Sequence, residues 1–236
     1  MSTDVEAFWG AAGDFLEAGA VEHTVLLTEA AYLRRRPDVA EGARFGWWRP
    51  GGRAVEAVFL RAPRHAPELS VLDDATAVGA LADALPELSE LAVDARNADT
   101  IKDAWERRGV ELAPRQRRTL YRLTDFRPPE PPPGRARPAT IDDRPLLIEW
   151  YEQLMARFPD DRSDLAYVVD EPLADGGLTL WEVDGAPVAM AGRTKVVAGM
   201  TRVGGVHAPH NYRHGDAALA AACATAAELA EHVLTF

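Results

Sequence analysis

Apolar positions fall first at helical spacing. Phe8, Phe15 and Leu16 mark a helix over residues 5–18, and Val25, Leu26, Ala30 and Leu33 mark another over 21–35 that Pro37 ends. "RFGWWRPGGRAVEAVFLRAP" then reads as a hairpin, with strands at 45–49 and 54–60 around a Pro-Gly-Gly turn. Trp47 and Trp48 are adjacent, so on a strand they face opposite ways. "ELSVLDDATAVGALADALPEL" predicts a short strand, an aspartate cap at Asp73 or Asp74, and a helix ended by Pro86. A strand near Leu91, a helix over 100–108 and a strand over 117–123 complete this half. The proline run "FRPPEPPPGRARP" follows, and its extended, ladder-breaking character makes it a linker between two domains.

Beyond it, Thr140 with Asp142 and Asp143 caps a helix whose apolar stripe is Leu146, Leu147, Trp150, Leu154 and Phe158. A second helix is expected over 163–169. "GGLTLWEVDGAPVAMAGRTKV" alternates about an Asp184-Gly185 turn and predicts a tight hairpin. A third strand over 200–208, a polar loop with one glycine, an alanine helix and the strand "HVLTF" end the chain. The pattern is α/β of the α+β kind, with domains at 1–125 and 136–236 joined by 126–135.

Composition narrows the function. A chain of 236 residues with 47% hydrophobic and 27% charged positions has an ordinary globular balance. A net charge of -11 excludes a general nucleic-acid binder, because phosphate backbones are gripped by clustered Lys and Arg. A lone cysteine, Cys223, makes no internal disulfide, and its place in the alanine helix suits a buried small residue. With neither a leader nor a spanning apolar run in view, a soluble cytoplasmic protein is expected, with no membrane partner.

The order helix, helix, three antiparallel strands, loop, helix, strand, carried by "GGLTLWEVDGAPVAMAGRT", "RVGGVHAP" and "YRHGDA", resembles the GNAT superfamily of acyl-CoA-dependent N-acyltransferases. It is similar above all to bacterial two-lobed members, which place a degenerate copy of the fold before an active one. The resemblance implies tandem lobes, each a mostly antiparallel sheet flanked by helices. It implies acetyl-CoA as co-substrate, an amine-bearing small molecule as acceptor, and no metal. In such a fold two central strands splay, pantetheine pairs with the exposed backbone, and the pyrophosphate meets a helix N-terminus, where orphan N–H groups and the helix dipole favour an anion. Carried onto this chain, Val206, His207 and Ala208 face the pantetheine, and Arg213, His214, Gly215, Asp216 and Ala217 form the phosphate loop. His207 is the candidate base, and Glu149 and Tyr151 line the acceptor side.

The chain departs from the family pattern twice. With Gly215 as the loop glycine, Tyr212 stands where an amide or basic residue belongs; with Arg213 as the anchor, Asp216 takes the glycine's place. A carboxylate there repels a pyrophosphate, although Asp216 also suits a helix N-cap. The family's last helix and strands, which carry a tyrosine acting as acid to the leaving thiolate, do not follow "HVLTF". An apolar strand edge at Val233, Leu234 and Phe236 is then expected to need cover, from further chain, a second copy or partner, or the first lobe. These departures keep a second reading open: a non-catalytic binding or assembly module with weak or lost CoA binding. His207, His210, His214 and Asp216 also offer a metal-ligand set, a weaker alternative. Trp150 and Trp181 are assigned to the core, and His23, His65 and His232 to surfaces or helix ends.

Overall fold

The computed structural model describes residues 1–63, 65–72, 75–86, 88, 90–158 and 163–236. Two compact units divide the chain at Arg117/Arg118.

In the first, helices α1 (Val5–Ala18) and α2 (Thr24–Arg35) precede a three-stranded antiparallel sheet of β1 (Arg44–Trp48), β2 (Ala57–Arg61) and β3 (Glu68–Leu69), followed by α3 (Ala75–Ala84) and α4 (Ala98–Glu106). Asp4 caps α1 by accepting from the Glu6 and Ala7 N–H groups at 2.8 and 3.1 Å, a contribution of about 1 kcal/mol. β2 is buried from Ala57 to Leu60, and Phe59 packs with Leu69, Val78, Ile101 and Trp105. The adjacent tryptophans do diverge: Trp48 joins the Phe59 cluster, while Trp47 lies 6.4 Å from Phe8, itself stacked on Phe45. The strand expected near Leu91 is a single bridge from Ala92 to Glu68. The cap expected at Asp73 or Asp74 lies outside the described residues. Of the histidines expected at surfaces or helix ends, His23 is the N-cap residue of α2 and His65 is half-buried. His23 is buried and stacked on Phe15, and His65 Nδ1 lies 2.8 Å from the carboxylate of the buried Glu29.

In the second unit, β4 (Tyr121–Arg122) and β5 (Arg135–Pro138) are the edges of a six-stranded sheet ordered β4-β9-β8-β7-β6-β5. Its other members are β6 (Leu178–Val183), β7 (Ala186–Arg193), β8 (Met200–His207) and β9 (His232–Thr235). The strand expected over 117–123 is therefore shorter and belongs here: Tyr121 and Arg122 pair antiparallel with Thr235 and Leu234, covering the edge expected to be bare. The linker's end is also tied down, since Pro133 accepts a hydrogen bond from Trp181 Nε1 at 3.3 Å. The hairpin turn is as expected, with Asp184 and Gly185 both at positive φ, 52° and 79°, as a type I′ turn requires.

Helices cover both faces. α5 (Arg144–Met155) buries Leu147, Trp150 and Tyr151 against Leu178, Leu180 and Met190. Phe158, expected on this stripe, lies beyond the helix and is 52% exposed. The helix expected over 163–169 is displaced: a π turn over Ala166–Asp170 runs into α6 (Glu171–Ala174), where Pro172 fits the first turn. On the opposite face α7 (Tyr212–Leu229) lays Ala217, Ala218 and Ala222 on Ala189, Ala191 and Trp181.

A partly buried ionic clamp joins the α5 start to the sheet edge. Arg137 on β5 binds both oxygens of Asp143 at 2.6 and 2.7 Å and donates to Glu182 on β6. Asp143 also accepts from the Thr140 N–H at 2.7 Å, so the expected Thr140 cap is completed by a carboxylate. The Arg137 guanidinium holds the Asp143 carboxyl down at about 2, against an ordinary 3.8. Because the folded value is lowered, the stabilisation is full above the ordinary value and is lost as pH falls toward 2. Asp143→Asn should therefore cost on the order of 2 kcal/mol in urea unfolding at pH 7, with the difference from wild type shrinking in acid. An equal difference at both pH values would contradict the ionic assignment.

Candidate functional site

β8 begins in parallel register with β9, pairing Met200, Thr201 and Arg202 with His232, Val233 and Leu234. From Val203 onward it has no β9 partner, and it continues only against β7. The β7 register explains the divergence: Gly204 faces Gly192 and His207 faces Met190, so β8 spends one residue more than β7 across this stretch. That is a β-bulge, and Gly205 sits in it at φ 61°, a left-handed conformation that bends the strand and suits glycine. From Val203 to His207 β8 therefore has a strand partner only on its β7 side, with a gap beside it on the β9 side. Val206 and His207, expected to line it, lie on this stretch, and Ala208 follows directly.

Tyr151 is buried and its hydroxyl lies against the bulge. A Cβ on Gly205 would come within 2.5 Å of that oxygen, and one on Gly192 within 3.0 Å. Burial pushes the phenol up to about 12, so at neutral pH Tyr151 can only donate a proton. Tyr151, expected to line the acceptor side, is thus a buried residue packed on the bulge.

The segment 212–217 is helix, where a loop was expected. Asn211 is the N-cap, accepting from the Arg213 N–H at 3.1 Å through its side chain and from the His214 N–H at 3.0 Å through its carbonyl. Asp216 is therefore not the cap; it lies inside α7 and is exposed. Gly215, one of the two possible anchors, packs on the end of β8. It is buried, and a Cβ there would lie 3.2 Å from Val206 and 3.3 Å from Ala208, so its missing side chain lets α7 approach the end of β8. Ala217 is buried beside it, while Tyr212 and Arg213 are exposed.

On the other face, His207 is 3% exposed and packs beside Trp150, with ring centroids 6.0 Å apart. Its Nε2 meets Gln153 Oε1 at 3.0 Å, and Gln153 Nε2 donates to Glu149 Oε1 at 3.0 Å. Burial, with the Arg157 charge adding to it, lowers the imidazole pKa and favours the neutral ring. Glu149 and His207 are thus brought together through Gln153, which sequence reasoning missed. The available signal was its position one helical turn after Glu149 on α5.

His210 and His214 do not join His207. Among the described residues no three His, Cys, Asp or Glu side chains group in a way that could hold a metal. Cys223 is half-buried, and burial pushes its thiol up, away from nucleophile behaviour. His232 opens β9 partly buried, not as a helix-end residue.

No family model and no curated protein matches the chain. Among solved structures, a GCN5-related N-acetyltransferase from Kribbella flavida is similar over 89% of this chain and 84% of that one, with a TM-score of 0.53 and 18% identity. The C-terminal DUF2156 domain of an Agrobacterium fabrum protein is similar over 92% of this chain and 77% of that one, with a TM-score of 0.43 and 10% identity. The first likeness shows the fold: this chain has a GNAT-type α+β fold, and the similarity extends well beyond the second unit.

The bulge yields a direct test. Gly205→Ala should cost about 2–4 kcal/mol in urea unfolding, from the left-handed backbone and the Tyr151 hydroxyl together. In a Tyr151→Phe background the cost should fall to about 1–2 kcal/mol, the backbone part alone. Equal costs in the two backgrounds would contradict the packing of Tyr151 on the bulge.

Proposed function

We propose that the second unit is an acyl-CoA-dependent N-acyltransferase that moves an acetyl or related acyl group to the amine of a small molecule. The observation that carries the reading is the β8 backbone, which leaves β9 after Arg202, bulges at Gly205 and leads within a few residues to the N-terminus of α7. An extended amide-bearing arm can pair with residues 203–207 as an added strand. Its phosphates then reach the positive end of an 18-residue helix, with Arg213 and His214 in the first turn. In the reaction the amine nitrogen bonds to the acyl carbon, the C–S bond breaks, the thiolate leaves with the electron pair, and the nitrogen gives up a proton. A backbone N–H of the bulged strand is suited to polarise the thioester carbonyl.

A second reading, a binding or assembly module on the same fold, draws on two features of α7. Asn211 already engages the Arg213 and His214 N–H groups, and Asp216 adds a negative charge one turn into the helix. Both reduce what the helix end offers an anion.

Calorimetric titration of the folded chain with acetyl-CoA and CoA separates the readings. Binding with comparable heat for both ligands is expected from the acyltransferase, and no heat at millimolar ligand would leave only the second reading. Asp216→Asn should tighten CoA about two- to five-fold, the effect of removing one exposed charge near a helix terminus. Unchanged or weaker binding would contradict a pyrophosphate at this end of α7.

A further inference from the structure

Glu149, Gln153 and His207 form a chain whose direction follows from donor and acceptor chemistry alone. An ionised carboxylate only accepts, so Glu149 requires the amide NH2 of Gln153 to face it. That turns Gln153 Oε1 toward His207, and a carbonyl oxygen also only accepts, so the imidazole must present Nε2–H. A neutral imidazole has one ring proton, which leaves Nδ1 bare. His207 Nδ1 is buried and has no hydrogen-bond partner. The opposite tautomer would bury an unpaired N–H in the same place, and orphaned buried donors are rarer than under-used acceptors. Two independent arguments therefore select one tautomer.

We infer that Gln153 is a positioning residue that, directed by Glu149, locks His207 as the Nε2–H tautomer and leaves the exposed Glu149 carboxylate as the proton acceptor of the set. The catalytic meaning rests on the acyltransferase reading; the tautomer does not. His207 was the expected base, yet its one bare nitrogen faces the interior and its outward nitrogen already carries a proton. Glu149 is exposed and engages Gln153 through Oε1, so Oε2 can take the proton released by the amine while Oε1 keeps the chain oriented. In that step the amine nitrogen bonds to the acyl carbon, the C–S bond breaks with its electron pair leaving on the thiolate, and the N–H proton passes to Glu149 Oε2 as an O–H bond forms.

The test reads the tautomer directly, by long-range proton–nitrogen correlation spectra of the full chain labelled with nitrogen-15 histidine. The chain has six histidines, and a His207→Asn variant assigns the signal. The expected spectrum has the proton on Nε2 and a bare Nδ1; a proton on Nδ1 overturns the inference. In Glu149→Lys, residue 149 becomes a donor, Gln153 turns over, its NH2 faces His207, and the ring proton should move to Nδ1. A proton that stays on Nε2 overturns the directing role of Glu149. Should that variant lose its fold, Gln153→Lys offers only donors to Nε2 and should move the proton the same way. A chain that shows this tautomer and its reversal but binds no CoA would defeat the acyltransferase reading and leave the positioning chain standing.

Discussion

The second unit depends on how closely α7 approaches the sheet. Ala217, Ala218 and Ala222 meet Ala189 and Ala191, and Gly215 meets Val206 and Ala208, so apart from Trp181 small side chains make up this part of the contact. Such a contact forms a thin core, since each alanine buries little apolar area, and its effect is more on spacing than on stability. The spacing sets the site. It brings the helix N-terminus to the end of β8, just where that strand has left β9 and bulged at Gly205.

The other face works differently and supplies most of the burial. Leu147, Trp150, Leu178, Leu180 and Met190 are large and almost wholly buried, at roughly 1.5–3 kcal/mol each. The Arg137 clamp anchors the start of α5 to β5 and β6, and the middle of the same helix places Tyr151 on the bulge. Two residues further on, α5 carries Gln153 to His207. A helix fixed at its start by charge and along its length by packing can present a directed polar chain without a loop's mobility.

Long patterns were legible in the sequence, and short or polar ones were not. The first two helices, the Asp184-Gly185 hairpin, β8 and the alanine helix have enough period or turn chemistry to be read locally, and the strand order they imply gave the fold class. β5, "RARP", is too short and too charged to alternate visibly, and it is a strand because β6 supplies its partner. Tyr121 and Arg122 lie before the proline run yet pair with β9, a contact more than a hundred residues away that no local pattern encodes. The start of α7 was misplaced because glycine and aspartate suggested a loop, whereas Asn211 supplies the cap one residue before Tyr212. Glu149 and His207 were visible as titratable candidates. Their connection was not, because it runs through an amide on α5 whose partner is on a distant strand.

The central claim is that the β9-side edge of β8 and the α7 N-terminus together receive an acyl-CoA. Backbone amide spectra of the full chain, recorded as CoA is added, test it most directly. The account predicts that the amides of residues 203–207 and 212–215 move together and saturate at one ligand concentration. Perturbations confined to other parts of the chain, or none at millimolar CoA, would contradict it.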